Sequence, residues 1–132
     1  MSTEGAGALF ISSGSRGNTV VVRAIGELDY DYAPTFRREL TGFWSTAPAP
    51  SALVLDLTDL TFCDSTGLAE LLWMLHRSRE TGTRLILVGA NRTLRHMLTT
   101  TGLLPFFELA SSLEEALGDG PDAPERQPPG SE

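Results

Sequence analysis

The chain reads as α/β: a small mixed β-sheet with helices packed on it, in one domain. Two observations predict this. Apolar runs at Leu53–Leu57, broken only by Asp56, and at Leu85–Val88 alternate with segments whose apolar residues recur every three or four positions. A β-branched run, Thr19–Ala24, follows a Ser- and Gly-rich stretch and can pair back on Leu9–Ile11 as a hairpin, which makes the sheet mixed. Strands that alternate with helices imply βαβ units with right-handed crossovers. At 132 residues, one core is the expectation.

Leu9–Ile11 is a short edge strand, and Ser12–Asn18 has turn composition. Thr19–Ala24 is the next strand. Asp31 is the expected N-cap of the first helix, with Pro34 in its first turn. Phe36, Leu40 and Phe43 share its apolar face, and Ala47-Pro48-Ala49-Pro50 ends it. Ala52–Leu57 reads as a strand covered on both faces.

The second helix spans Ser65–Thr81, with Leu68, Leu71, Leu72 and Leu75 on one stripe and Gly82 as C-cap. Trp73 lies off that stripe, where packing on a neighbouring helix is favoured over anchoring a partner. Leu85–Val88 is a buried strand and Gly89–Asn91 a turn. Leu94, Met97 and Leu98 give the third helix its apolar face, closed near Gly102. Phe106–Leu109 is a last short strand, with Phe106 and Phe107 in the core. Ser112 and Glu115 form a capping box before a short helix, Leu113–Leu117. The expected division is a flexible N-terminus (residues 1–8), the domain (9–117), and a disordered acidic Pro/Gly tail (118–132).

A net charge of −7 argues against nucleic-acid backbones and anionic membranes as partners. It suits an acidic protein that meets another protein. All ten basic residues are Arg, which reads as genome composition rather than function. Cys63 is the only cysteine, so no internal disulfide forms; it reads as a small buried residue, and a cytoplasmic location is expected. The first residues have no basic region leading into a long apolar core, and no apolar run approaches the ~20 residues of a membrane span.

The most informative stretch is Leu60–Leu68, with Cys63-Asp64-Ser65-Thr66-Gly67 at its centre. It joins a buried strand to a helix start. Such junctions lie at the carboxyl end of a parallel sheet, where open α/β folds keep their working surface. A helix N-terminus presents unpaired N–H groups that suit an anion. By themselves, Asp64, Ser65 and Thr66 would read simply as a helix cap, and Asp29 could equally be a turn aspartate bonded to its own backbone.

Enzymatic arrangements are not evident. His76 lies eleven positions beyond Ser65, about 16 Å along a helix, too far for a nucleophile–base pair. His96 is on another element, and both histidines read as helix residues at core margins. No Gly-x-Ser-x-Gly elbow, glycine-rich phosphate cradle or metal-ligand spacing is present, so no cofactor or metal is expected.

Gly26-Glu27-Leu28-Asp29, Asp64-Ser65-Thr66-Gly67-Leu68 and Thr101-Gly102-Leu103, in this order and spacing, resemble STAS domains over roughly residues 10–117. Within them the chain is similar to the anti-sigma factor antagonists (anti-anti-sigma factors) of bacteria. The resemblance implies a small sheet packed with helices and a binding module rather than an enzyme. It implies that the unphosphorylated form binds an anti-sigma factor with serine kinase activity, so regulating transcription. Ser65 is then the residue that kinase phosphorylates, with Thr66 as fallback acceptor, and a phosphatase resets it. Asp29, Asp64, Ser65, Thr66 and Gly67 form the implied partner-binding set. Tyr32 stands where many relatives have Ser or Thr, so the local cap and the partner's footprint can differ. Two alternatives remain: a STAS scaffold or subunit, in a stress-signalling complex or beside a transporter, and a nucleotide-binding STAS module.

Overall fold

The computed structural model describes residues 8–45 and 47–118. A hairpin opens it: β1 (Leu9–Arg16) and β2 (Thr19–Leu28) are antiparallel, from Leu9 opposite Gly26 to Arg16 opposite Thr19. Then follow α1 (Ala33–Ser45), β3 (Ala52–Asp56), β4 (Leu60–Cys63), α2 (Ser65–Thr81), β5 (Arg84–Val88) and α3 (Arg92–Thr100). A single 3-10 turn (Leu104–Phe106) leads to β6 (Glu108–Ala110) and α4 (Leu113–Leu117). The sheet order is β1-β2-β3-β5-β6, with β4 added beside the far end of β2. Every pairing except the hairpin is parallel. The mixed α/β architecture read from the sequence is therefore the one observed.

The apolar runs alternate sides because successive strand residues face opposite ways. Val22, Ala24, Leu53, Leu55, Leu85 and Leu87 meet the buried faces of α1, α2 and α3 in the main core. Val54, Ile86 and Val88 point to the other face, where Leu113, Ala116 and Leu117 of α4 cover them. This explains why β3 and β5 read as unbroken apolar strings.

Several boundaries differ from expectation. β1 runs on through Ser12–Arg16, because Val20, Val21 and Val22 supply strand partners for those small polar residues. β2 continues past Ala24 to Leu28. Gly26 allows this: its φ is +109°, and a β-carbon there would lie 2.0 Å from the Ala8 carbonyl oxygen. The ladder slips at this point, between Gly26 and Glu27, as β2 changes partner from β3 to β4. Strand β4 itself is an element that the helix-start motif concealed.

Asp31 does not cap α1. Asp29 instead closes the turn before the helix: its Oδ1 accepts from the Asp31 and Tyr32 amides at 3.0 and 3.1 Å. Trp44 is buried on α1, whereas Phe43 is half-buried; on α2, Met74 is buried and Leu72 half-buried. The last strand starts two residues late, at Glu108, because Leu104–Phe106 coils. Phe107 is core, but Phe106 is exposed beneath the Arg79 guanidinium. His76 and His96 are both exposed rather than at core margins. Helix α2 has the predicted limits and the Gly82 C-cap. Helix α4 has the Ser112 cap, with the Glu115 carboxylate bonded to Ser111. The expectations for residues 1–7 and 119–132 lie outside the described residues.

Candidate functional site

The site is set by one register. Leu28, the last residue of β2, lies opposite Cys63, the last of β4. Asp29 and Asp64 therefore leave two adjacent parallel strands at the same carboxyl edge. The five residues expected at the site, Asp29, Asp64, Ser65, Thr66 and Gly67, come from these two exits.

Asp64 is extended (φ −101°, ψ −168°) and caps α2, its Oδ1 accepting from the Gly67 amide at 3.0 Å. Its own amide points back toward the Leu28 carbonyl at 3.4 Å. Gly67 is buried against the end of β2. A β-carbon there would lie 2.5 Å from the Leu28 carbonyl oxygen and 2.7 Å from Cys63 Sγ. The glycine lets the first turn of α2 sit directly on the β2–β4 ladder and hold Ser65 outward. Ser65 is exposed and Thr66 half-buried.

Asp29 is engaged locally, as in the turn reading: its carboxylate accepts from the Asp31 and Tyr32 amides, and its carbonyl from those of Tyr32 and Ala33, the first residue of α1. It lies on the same edge as Ser65, but its Oδ1 is committed to the loop. Tyr32 packs against the core while its amide donates to Asp29, so the Asp29 carboxylate holds the turn that leads into α1. Cys63 is half-buried behind the edge. Burial, and next the Asp64 charge, push its thiol from 9.0 up to about 12.

Two hollows flank Ser65. A shallow cleft of about 320 Å³ is lined by Tyr30, Ala33, Pro34, Arg37, Thr66 and Glu70. Arg37 grips the nearly buried Glu70 through two bonds of 2.7 and 3.2 Å, and its guanidinium lies 4.2 Å from the centre of the Trp73 ring. Trp73 in turn meets Trp44 edge-on at 5.6 Å. This is the inter-helix packing favoured for Trp73. A smaller groove of about 160 Å³ lies between β4 and α3.

The sequence reading missed Tyr30, Arg37, Glu70 and Phe62. Tyr30 had a signal, an aromatic in a polar turn, and it is 76% exposed beside the cleft. Arg37 and Glu70, 33 positions apart, had none.

An exposed primary hydroxyl, on a helix start and flanked by carboxylates tied into backbone caps, can receive a group from another protein. Among the described residues no group of three His, Cys, Asp or Glu could hold a metal ion. No described helix is long and apolar enough to cross a membrane.

Known structures share this fold. An anti-sigma factor antagonist from Mycobacterium paratuberculosis is 28% identical (TM-score 0.74; 87% of this chain and 96% of that one). SpoIIAA, a Bacillus cell fate determinant solved in its phosphorylated form, is also 28% identical (TM-score 0.64; 84% and 97%). TM1081 from Thermotoga maritima has the same fold at 18% identity (TM-score 0.71; 90% and 94%). The STAS domain model matches residues 11–116, from within β1 through the Asp64 cap to within α4. The chain thus belongs to the STAS domain family.

Proposed function

We propose that this chain is an anti-sigma factor antagonist of the cytoplasm, a binding module rather than an enzyme. Its unphosphorylated form binds an anti-sigma factor that has serine kinase activity, and a sigma factor is released to direct transcription. The kinase then phosphorylates Ser65, the complex dissociates, and a phosphatase restores the free hydroxyl. Thr66 is the fallback acceptor. Asp29, Asp64, Thr66 and Gly67 complete the surface the kinase meets.

The observation that carries this reading is the exposed Ser65 directly after the N-cap Asp64, on the edge it shares with Asp29. A phosphate adds about −1.5 to −2 charge there. The helix N-terminus offsets part of its repulsion with Asp64, so the domain stays folded. A partner surface shaped for a neutral hydroxyl has no such compensation. Desolvating the charge costs several kcal/mol, on the order of a thousandfold in affinity. The phosphorylated SpoIIAA, 28% identical, supports the same reading.

The test is mass spectrometry of the chain after incubation with ATP and each kinase-type anti-sigma factor of the same genome. One phosphate on Ser65, none on Ser65→Ala, and binding lost in Ser65→Glu are expected. Equal binding of both forms by the partner would overturn the switch.

A further inference from the structure

Strand β1 forms one edge of the sheet. β2 pairs with one side of it, and among the described residues no strand pairs with the other. Sheet edges in soluble proteins are usually blunted by a proline, a bulge, an inward charge or a short length. β1 has none of these. It runs for eight residues, its register with β2 is unbroken, and it contains no proline. Its one charge is its last residue, Arg16.

The backbone identifies the groups left over. The Glu27 amide donates to the Ala8 carbonyl at 2.9 Å, one step beyond the Leu9–Gly26 pair. Antiparallel ladders bond at every second residue. Phe10, Ser12, Gly14 and Arg16 therefore bond to β2, whereas Leu9, Ile11, Ser13 and Ser15 turn their N–H and C=O groups outward. Side chains alternate too. Phe10, Ser12 and Gly14 share the face of Val21 and Ile25, whose other half α4 covers. Phe10 is 63% exposed there, and a β-carbon on Gly14 would meet nothing within 4 Å. A solvated edge would explain the outward backbone groups, but not a large exposed ring on an edge left without protection.

We propose that β1 pairs antiparallel with β1 of a second copy of this chain, about a two-fold axis at Ser12. Self-complementarity selects the occupant. A two-fold pairing sets residues of one face opposite each other, and only the register centred on Ser12 pairs all four outward residues. Leu9 bonds to Ser15 of the other copy, and Ile11 to Ser13, each contact occurring twice. The same register lays each Phe10 ring across the open Gly14 of the other copy. Arg16 of one copy comes beside Ala8 of the other, one strand from Glu27 on the same face, so opposite charges approach at both ends. One strand and one ring per copy place the contact at the small end of specific interfaces, below ~1,200 Å², so the dimer is weak and concentration-dependent. Ser65 follows β4, which pairs with the opposite side of β2, and stays open in both copies.

The test uses the full chain. Sedimentation velocity should show a monomer passing to a dimer between about 1 µM and 1 mM. Ser13→Pro removes an outward N–H and no bond to β2, and should weaken the dimer about tenfold or more. Phe10→Ala should also weaken it. A disulfide reads the register where a substitution perturbs folding. In a Cys63→Ala background, Ser12→Cys stands on the axis, where unbonded antiparallel partners bring their α-carbons to about 4.5 Å, within disulfide reach. Mild oxidation should give a covalent dimer. Gly14→Cys sets the two sulfurs about four residues apart, roughly 14 Å, and should stay monomeric. A wild-type monomer throughout the range would overturn the inference. So would a dimer that Ser13→Pro leaves at full strength, or crosslinking of Gly14→Cys as readily as Ser12→Cys.

Discussion

Gly67 rests against Leu28 so closely that a β-carbon would come within 2.5 Å of the Leu28 carbonyl oxygen. The first turn of α2 is thereby seated on the end of β2, and the orientation of Ser65 depends on that seat. Gly67→Ala gains up to about 1 kcal/mol of helix propensity but must displace backbone and the Cys63 sulfur, at about 1–3 kcal/mol. We expect a net loss of stability in a denaturant titration, and slower phosphorylation of Ser65. A more stable Gly67→Ala protein would show that the contact yields freely.

Asp64 separates capping from recognition. Asp64→Ala should lose about 1 kcal/mol, because the Gly67 amide loses its acceptor. Asp64→Asn keeps an acceptor and should retain most of that stability. If Asp64→Asn binds the partner weakly while melting close to wild type, the charge itself is read by the partner.

The Arg37–Glu70 pair clamps α1 to α2 below the cleft. Glu70 has a side chain only 11% exposed, whereas that of Arg37 is 45% exposed, so solvent screens part of the interaction. Arg37→Ala should therefore cost about 1–2 kcal/mol in chemical denaturation, through the stranded carboxylate and the lost contact with Trp73. Glu70→Gln should cost less, since Arg37 keeps a carbonyl to bond. The reverse order would mean that the pair does not join the helices.

Cys63 predicts an alkaline limb in stability. Burial favours its neutral thiol, so the folded chain holds the proton up to about 12, while the unfolded chain releases it near 9.0. The associated stability is fully present below pH 9.0 and is lost as pH rises toward about 12. Denaturation midpoints of wild type should fall more steeply between pH 8.5 and roughly pH 10.5 than those of Cys63→Ala. Thiol labelling at neutral pH should be slow until the chain unfolds. Rapid labelling of the folded chain would contradict this.

Strands β3 and β5 were legible because burial on both faces leaves an unbroken apolar string. Helix α2 was legible because Asp64 and Gly82 mark its ends in the sequence itself. β4 was not: its four residues overlap the helix-start motif, and pairing with an extended β2 makes them a strand. The second half of β1 has turn composition and is a strand only through its valine partners on β2. At the site, the Asp64-Ser65 step could be read locally. That Asp29 rather than Asp31 organises the turn into α1 depended on how far β2 runs, and the cleft beneath Tyr30 on a pairing across 33 positions.

The change of partner along β2 has a dynamic consequence. Five residue pairs join β2 to β3, but only Gly26–Leu60, Glu27–Phe62 and Leu28–Cys63 join it to β4, with a slip among them. The edge that carries Ser65 can therefore open by itself, at a free energy below that of global unfolding, while the central strands stay closed. Amide hydrogen exchange should show this as weaker protection at Phe62 and Cys63 than at Val54 and Leu55. A kinase that needs an extended serine segment could then draw on a fluctuation the sheet already permits.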